Sequence, residues 1–204
     1  MTPKSVKDAL TQTLESLWEA NIDYNTIEGD TDLPPALHKT GQLVQLVGYV
    51  LQIIRDHLEQ HGLGGLANIA GSFDDSNEKA KVLRDIFREL APESETPRND
   101  RYLGFMREKG RENAAENLML KIMGNAYRVA KHETLAAATR EYIKGLEDAM
   151  AELSCMAPSA PGDASNVFSS AGPQFNNTGC GKQFNNPGAG RQYQAEVMNF
   201  GVDD

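Results

Sequence analysis

Histidines four apart on a helix share a face and can grip a metal between them, which makes His57-Leu58-Glu59-Gln60-His61 the first place to look for chemistry. The metalloprotease spacing requires glutamate directly after the first histidine, and Leu58 stands there. No third ligand follows in sequence, so the pair reads as solvated histidines at a helix end, where the C-terminal dipole favours them. His38 and His132 lack a catalytic partner in sequence as well. The glycine-rich stretch Gly62 to Gly71 contains no phosphate-loop pattern and follows a helix instead of a strand. Nucleophile elbow, reactive-cysteine context and paired carboxylates are all missing, and Met119, Met123 and Met150 at helical spacing read as core. The expectation is a protein that is not an enzyme and takes no metal or cofactor.

A different kind of information lies near the C-terminus, in GPQFNNTGCGKQFNNPGAGRQYQ, Gly172 to Gln194. Gly172, Gly181 and Gly190 recur every nine residues, as do Gln174, Gln183 and Gln192, and the aromatics Phe175, Phe184 and Tyr193. Asn176-Asn177 and Asn185-Asn186 follow the first two aromatics, and turn signals at Gly179 and Gly188 close each unit. Each unit therefore reads as a short strand and a tight turn. Fixing a backbone costs roughly 1–2 kcal/mol per residue, so three aromatics cannot order this segment in a lone chain. Many copies in register change the balance, because backbone groups pair between layers about 4.7 Å apart, amides form ladders and aromatics stack. Composition alone also fits a flexible linker, but a linker has no reason to keep its aromatics in phase.

These residues need a body to deliver. The chain has 204 residues, a net charge of −9 and 24% charged residues. Nearly all long aliphatic residues lie before position 156, whereas Gly, Pro, Ser, Asn and Gln dominate beyond it. The division expected is a helical bundle over 1–155, a flexible linker over 156–171 and an assembling repeat and tail over 172–204. The acidic balance speaks against nucleic acid, which requires clustered Lys and Arg, and against docking on anionic lipid by charge alone. The N-terminus lacks the apolar core of a secretion signal and no apolar run spans a bilayer, so a cytoplasmic protein is expected. Cys155 and Cys180 fit that setting and make no disulfide framework.

Helical periodicity fills the body. Thr2 and Pro3 open a first helix, to about Ala20, with Leu10, Leu14, Leu17 and Trp18 on one apolar stripe; short and terminal, it reads as the segment most easily released. The most apolar helix runs from Pro34 to about His61 and should be central. Asp74 to Ser76 reads as the cap of a helix over Asn77 to Leu90. A short helix follows from Asp100 to Glu108, and longer ones over Glu112 to His132 and Leu135 to Leu153. No segment alternates with period two, so the fold class is all-α: a bundle of four long helices plus one or two short ones, followed by a disordered Gly/Asn/Gln-rich tail that can become cross-β.

Taken together, the halves resemble a known arrangement. Leu33 to Gln60, Asn77 to Leu90, the helix around Leu118 to His132 and the residues near Leu153 are similar to the fungal SesA-type domain, which precedes NACHT and other P-loop NTPase domains in NOD-like receptors. The repeat resembles the sigma amyloid signalling motif, on Gln174 to Asn177, Gln183 to Asn186 and Gln192-Tyr193; the third unit departs from the pattern, with Gln194-Ala195 in place of the asparagines. The resemblance implies a fungal programmed cell death or heterokaryon-incompatibility effector, activated by prion-like templating from a NOD-like receptor with a matching repeat. It implies self-association through the tail, then action on membrane lipid at the plasma membrane through the helix bearing Leu10, Leu14, Leu17 and Trp18. The alternative is a non-enzymatic helical adaptor clustered by its tail.

Overall fold

A computed structural model describes residues 3–62 and 70–160. Among the described residues the fold is all-α, with six α-helices, one 3-10 turn and no strand. The helices are α1 (Pro3–Asn25), α2 (Pro35–His61), α3 (Ala70–Leu90), α4 (Arg98–Lys109), α5 (Ala115–Ala130) and α6 (Ala136–Cys155), and the 3-10 turn is Arg111–Asn113. No helix is long and apolar enough to cross a membrane among the described residues. The glycine-rich stretch Gly62 to Gly71 falls mostly outside the described residues; Ala70 and Gly71 already belong to α3.

α2 takes the central place its sequence calls for, touching α1, α5 and α6. Pro34 precedes it in extended conformation and Pro35 fills its first position, where a missing N–H costs nothing. Leu37, Leu43, Val44, Val47, Val50, Leu51, Ile54 and Leu58 are all buried, more than one stripe of its surface. α1 lies chiefly along α3 and secondly along α2, while α5 bridges α2, α3 and α6.

Two boundaries differ from the sequence reading. α1 continues past Ala20 to Asn25, because Tyr24 packs edge-on against Phe87, with ring centroids 5.5 Å apart, and against His38 at 6.0 Å. α3 begins at Ala70, so Asp74 to Ser76 lie inside it and not at its cap. Their polarity has another cause. The Ser76 hydroxyl donates to the Ser72 carbonyl at 2.8 Å, and the Asn125 amide on α5 donates to Asp75 at 2.8 Å and to Ser76 at 3.2 Å. A buried α3–α5 contact made of polar side chains looks, in one dimension, like a helix start.

The far end of α3 is held by arginines of α4. Arg98 Nε donates to the Leu90 carbonyl at 3.0 Å, and Arg101 donates to the carbonyls of Glu89, Leu90 and Pro92. These cations satisfy carbonyls left open at a helix C-terminus and oppose its dipole. Arg98 also reaches Asp30 at 3.0 Å, linking the α1–α2 connection to the same corner. His38 closes that connection from the other side through Nε2 and the Asp30 carbonyl, 2.6 Å apart. A carbonyl only accepts, so Nε2 carries the proton; the histidine is a structural tie.

Candidate functional site

His57 and His61 lie against each other at the end of α2, ring centroids 4.4 Å apart and planes tilted by 46°. Burial, and secondarily the neighbouring His61, pushes the His57 pKa below its ordinary value. Among the described residues no group of three or more His, Cys, Asp or Glu side chains is placed to hold a metal. Cys155, the last residue of α6, is disulfide-bonded, a bridge that the reading of two cysteines outside any framework did not include.

The four residues assigned to a membrane-active helix are divided by the fold. Leu10 and Leu17 are in the core at 1% exposure, Leu14 is half-buried, and Trp18 stands out at 70%. Trp18 and Tyr49, the latter 65% exposed, line a groove of about 420 Å³ between α1 and α2. Leu14, Leu17 and Val44 also line it, with the amides of Asn21, Gln45 and Gln52. At Gly48, also in its lining, an added Cβ would meet nothing within 4 Å. Ile22, one turn beyond Trp18 on α1, is 51% exposed. Such a groove suits an apolar body with a polar edge. Tyr49 and Ile22 were not singled out in the sequence; a tyrosine at the polar margin of an apolar helix is the signal that was there to find.

The packing also bears on how freely α1 could leave. Val6, Leu10 and Leu17 are fully buried, and each such side chain is worth about 1.5–3 kcal/mol. Before Tyr24 and the alanines are counted, detachment costs on the order of 5–9 kcal/mol, comparable with the whole stability of many domains. α1 is therefore packed as an integral helix of the bundle, and any release of it from the core must meet that cost.

A second constellation sits where the body ends. Tyr102 of α4 is fully buried, Glu116 lies in the first turn of α5, and Ser159 follows α6 with 4% exposure. The Ala115 amide donates to the Tyr102 hydroxyl at 3.3 Å, Tyr102 donates to the Ser159 hydroxyl, and Ser159 donates to Glu116 Oε2 at 2.5 Å. The Ser159 amide donates to Glu116 Oε1 at 2.9 Å, so both carboxylate oxygens are taken by one serine. Burial, reinforced by the Glu116 charge, pushes the Tyr102 phenol up to about 12. Sequence reading placed 156–171 in a linker; nothing in the isolated MAPSAP string announces an anchor.

The assembly residues of the sequence reading, Gln174, Phe175, Asn176, Asn177, Gly179, Gln183, Phe184, Asn185, Asn186, Gly188, Gln192 and Tyr193, lie outside the described residues. So do the 172–204 tail and most of the 156–171 linker.

Residues 10–129 match the family model SesA, described as the N-terminal domain on NACHT_NTPase and P-loop NTPases. The matched stretch runs from the first turns of α1 to the end of α5 and covers more than half of the chain. No curated protein and no solved structure matches the chain.

Proposed function

Because this chain belongs to the SesA family, whose domain accompanies NACHT and other P-loop NTPases, we propose that it is the executor of a fungal cell-death or incompatibility response governed by such a receptor. The observation that carries the reading is the union of a SesA body with a nine-residue Gln-aromatic-Asn-Asn repeat in one chain. In this reading a receptor whose own repeat has stacked offers an open β edge, and the tail adds to it by main-chain pairing. Growth of the stack crowds the helical bodies and raises their effective concentration. The protein acts without catalysing a reaction or binding a cofactor, and it moves from the cytoplasm to the plasma membrane after activation.

A peptide spanning Gly172 to Tyr193 is expected to form cross-β fibres, and the same peptide with Gln183→Pro and Phe184→Pro to stay in solution. A wild-type peptide that remains coil at high concentration refutes templating.

The packing of α1 favours a second reading, a helical adaptor clustered by its tail. The Trp18–Tyr49 groove is open on the intact bundle, so it can engage a partner without the several kcal/mol that unseating α1 costs. Forced oligomerisation of the full chain on dye-loaded liposomes separates the two: leakage supports the executor, and recruitment without leakage supports the adaptor.

A further inference from the structure

We propose that residues 156–160 form a releasable strap over one end of the bundle, with Glu116 as its lock, and that events in the residues beyond reach the helices by opening this lock. α6 ends at Cys155, and the backbone after it makes one turn bond, from the Met156 amide to the Leu153 carbonyl at 3.3 Å. Beyond that point the chain is nonhelical, yet Ser159 and Ala160 are buried. Ala160 joins the apolar core, and what holds Ser159 is polar: both its donors end on the two oxygens of Glu116, and the Tyr102 hydroxyl completes the chain.

A strap held in this way has two states. Closed, the carboxylate is dry and fully bonded, and the dipole of α5 favours its charge in the first turn. Open, Glu116 and Tyr102 must both rehydrate, because a buried carboxylate or phenol without its partner is unfavourable. Partial opening therefore has no stable intermediate. The consequence is confined to the α4–α5 junction, because Tyr102 and Ala115 are the groups bonded into the same chain, whereas α1 and α3 contribute none. The strap lies between body and repeat in sequence, so with the Cys155 disulfide reduced a load carried along the chain from the tail meets Ser159 before it meets a helix. This transmitting role rests on the templating reading; the lock itself does not.

Residue-resolved hydrogen exchange on the full-length protein tests both parts. In the monomer the Ser159 amide is expected to be protected, and Ser159→Ala and Glu116→Gln should each speed exchange of the strap and the α4–α5 junction by roughly tenfold to a hundredfold, with α1 and α3 unchanged. In fibres seeded with the Gly172 to Tyr193 peptide, wild-type strap exchange should rise to the level of the variants. Ser159 exchanging at the rate of free peptide in the monomer overturns the lock. So does Ser159→Ala accelerating every helix alike, because the strap would then be inseparable from the core. A strap still protected in seeded fibres overturns transmission while leaving templating intact, and failure to form fibres counts against templating and transmission together while the monomer data still judge the lock.

Discussion

Two glycines one turn pair apart in α2 should respond to the same substitution with opposite signs. A Cβ at Gly41 would meet the ring of Tyr24 well inside 3 Å, whereas one at Gly48 meets nothing. Gly-to-Ala in a helix interior gains about 0.5–1 kcal/mol from backbone entropy and propensity, and Gly48→Ala should realise that gain. Gly41→Ala earns the same gain but overpacks a buried ring that Phe87 and His38 also confine, at about 1–3 kcal/mol. The net expectation for Gly41→Ala is a loss of about 1–2 kcal/mol, the upper part of that range, because Tyr24 has no free side to move toward. For a body of this size about 1 kcal/mol moves Tm by ~2–4 °C, so the two variants should melt about 3–12 °C apart, one on each side of wild type. Thermal unfolding of the unseeded full-length monomer, followed by circular dichroism at 222 nm, reads this directly (the wavelength is about that of the helical band). If Gly41→Ala is as stabilising as Gly48→Ala, α1 and α2 do not approach as closely as described and the reasoning fails.

Leu17→Ala should cost about 2–5 kcal/mol in denaturant unfolding, and Trp18→Ala less than about 0.5 kcal/mol, because adjacent residues of α1 face core and solvent; equal losses would contradict that division. Tyr102 keeps its proton up to about 12 when folded against 10.0 for an ordinary phenol, so its contribution is intact below pH 10.0 and is lost as the pH climbs to about 12. The loss amounts to about 3 kcal/mol, and alkaline unfolding with a late-titrating phenol in the ultraviolet spectrum checks it. The Arg98 hydrogen bond, then the Asp32 amide, holds the Asp30 carboxyl below its ordinary 3.8. That contribution is present above 3.8 and fades as the pH falls through the folded value, so Arg98→Met should destabilise by about 1–3 kcal/mol at neutral pH and by less near pH 3, as urea midpoints at about those two pH values would show.

Helical periodicity made most of the body legible. Pro34-Pro35 marked the start of α2 to within a residue, and its wide apolar surface foretold its central place. What failed were inferences that treated a local polar cluster as a boundary. Asp75 and Ser76 are polar because Asn125 lies about fifty residues away in sequence and against them in space. Ala20 seemed an end because the polar NIDYN string hides the one residue, Tyr24, whose burial extends α1. The groove was half legible: Trp18 was singled out, but its outward direction depends on which side of α1 meets α3 and α2, and no helical wheel chooses between neighbouring faces. The Glu116–Ser159 lock was invisible, since one partner sits in a helix and the other in what composition alone calls linker.

The central placement of α2 makes damage to this molecule unequal. Stripping away α1 would leave α2 still backed by α5 and α6, and α3 still backed by α5, so a remnant with its own apolar interior could persist. Disrupting α2 removes a shared wall from three neighbours at once and leaves α1, α3, α5 and α6 joined only in series, α1 to α3, α3 to α5 and α5 to α6. Partial dismantling is thus available at the outer helices before the centre, and the outer helix α1 carries Trp18.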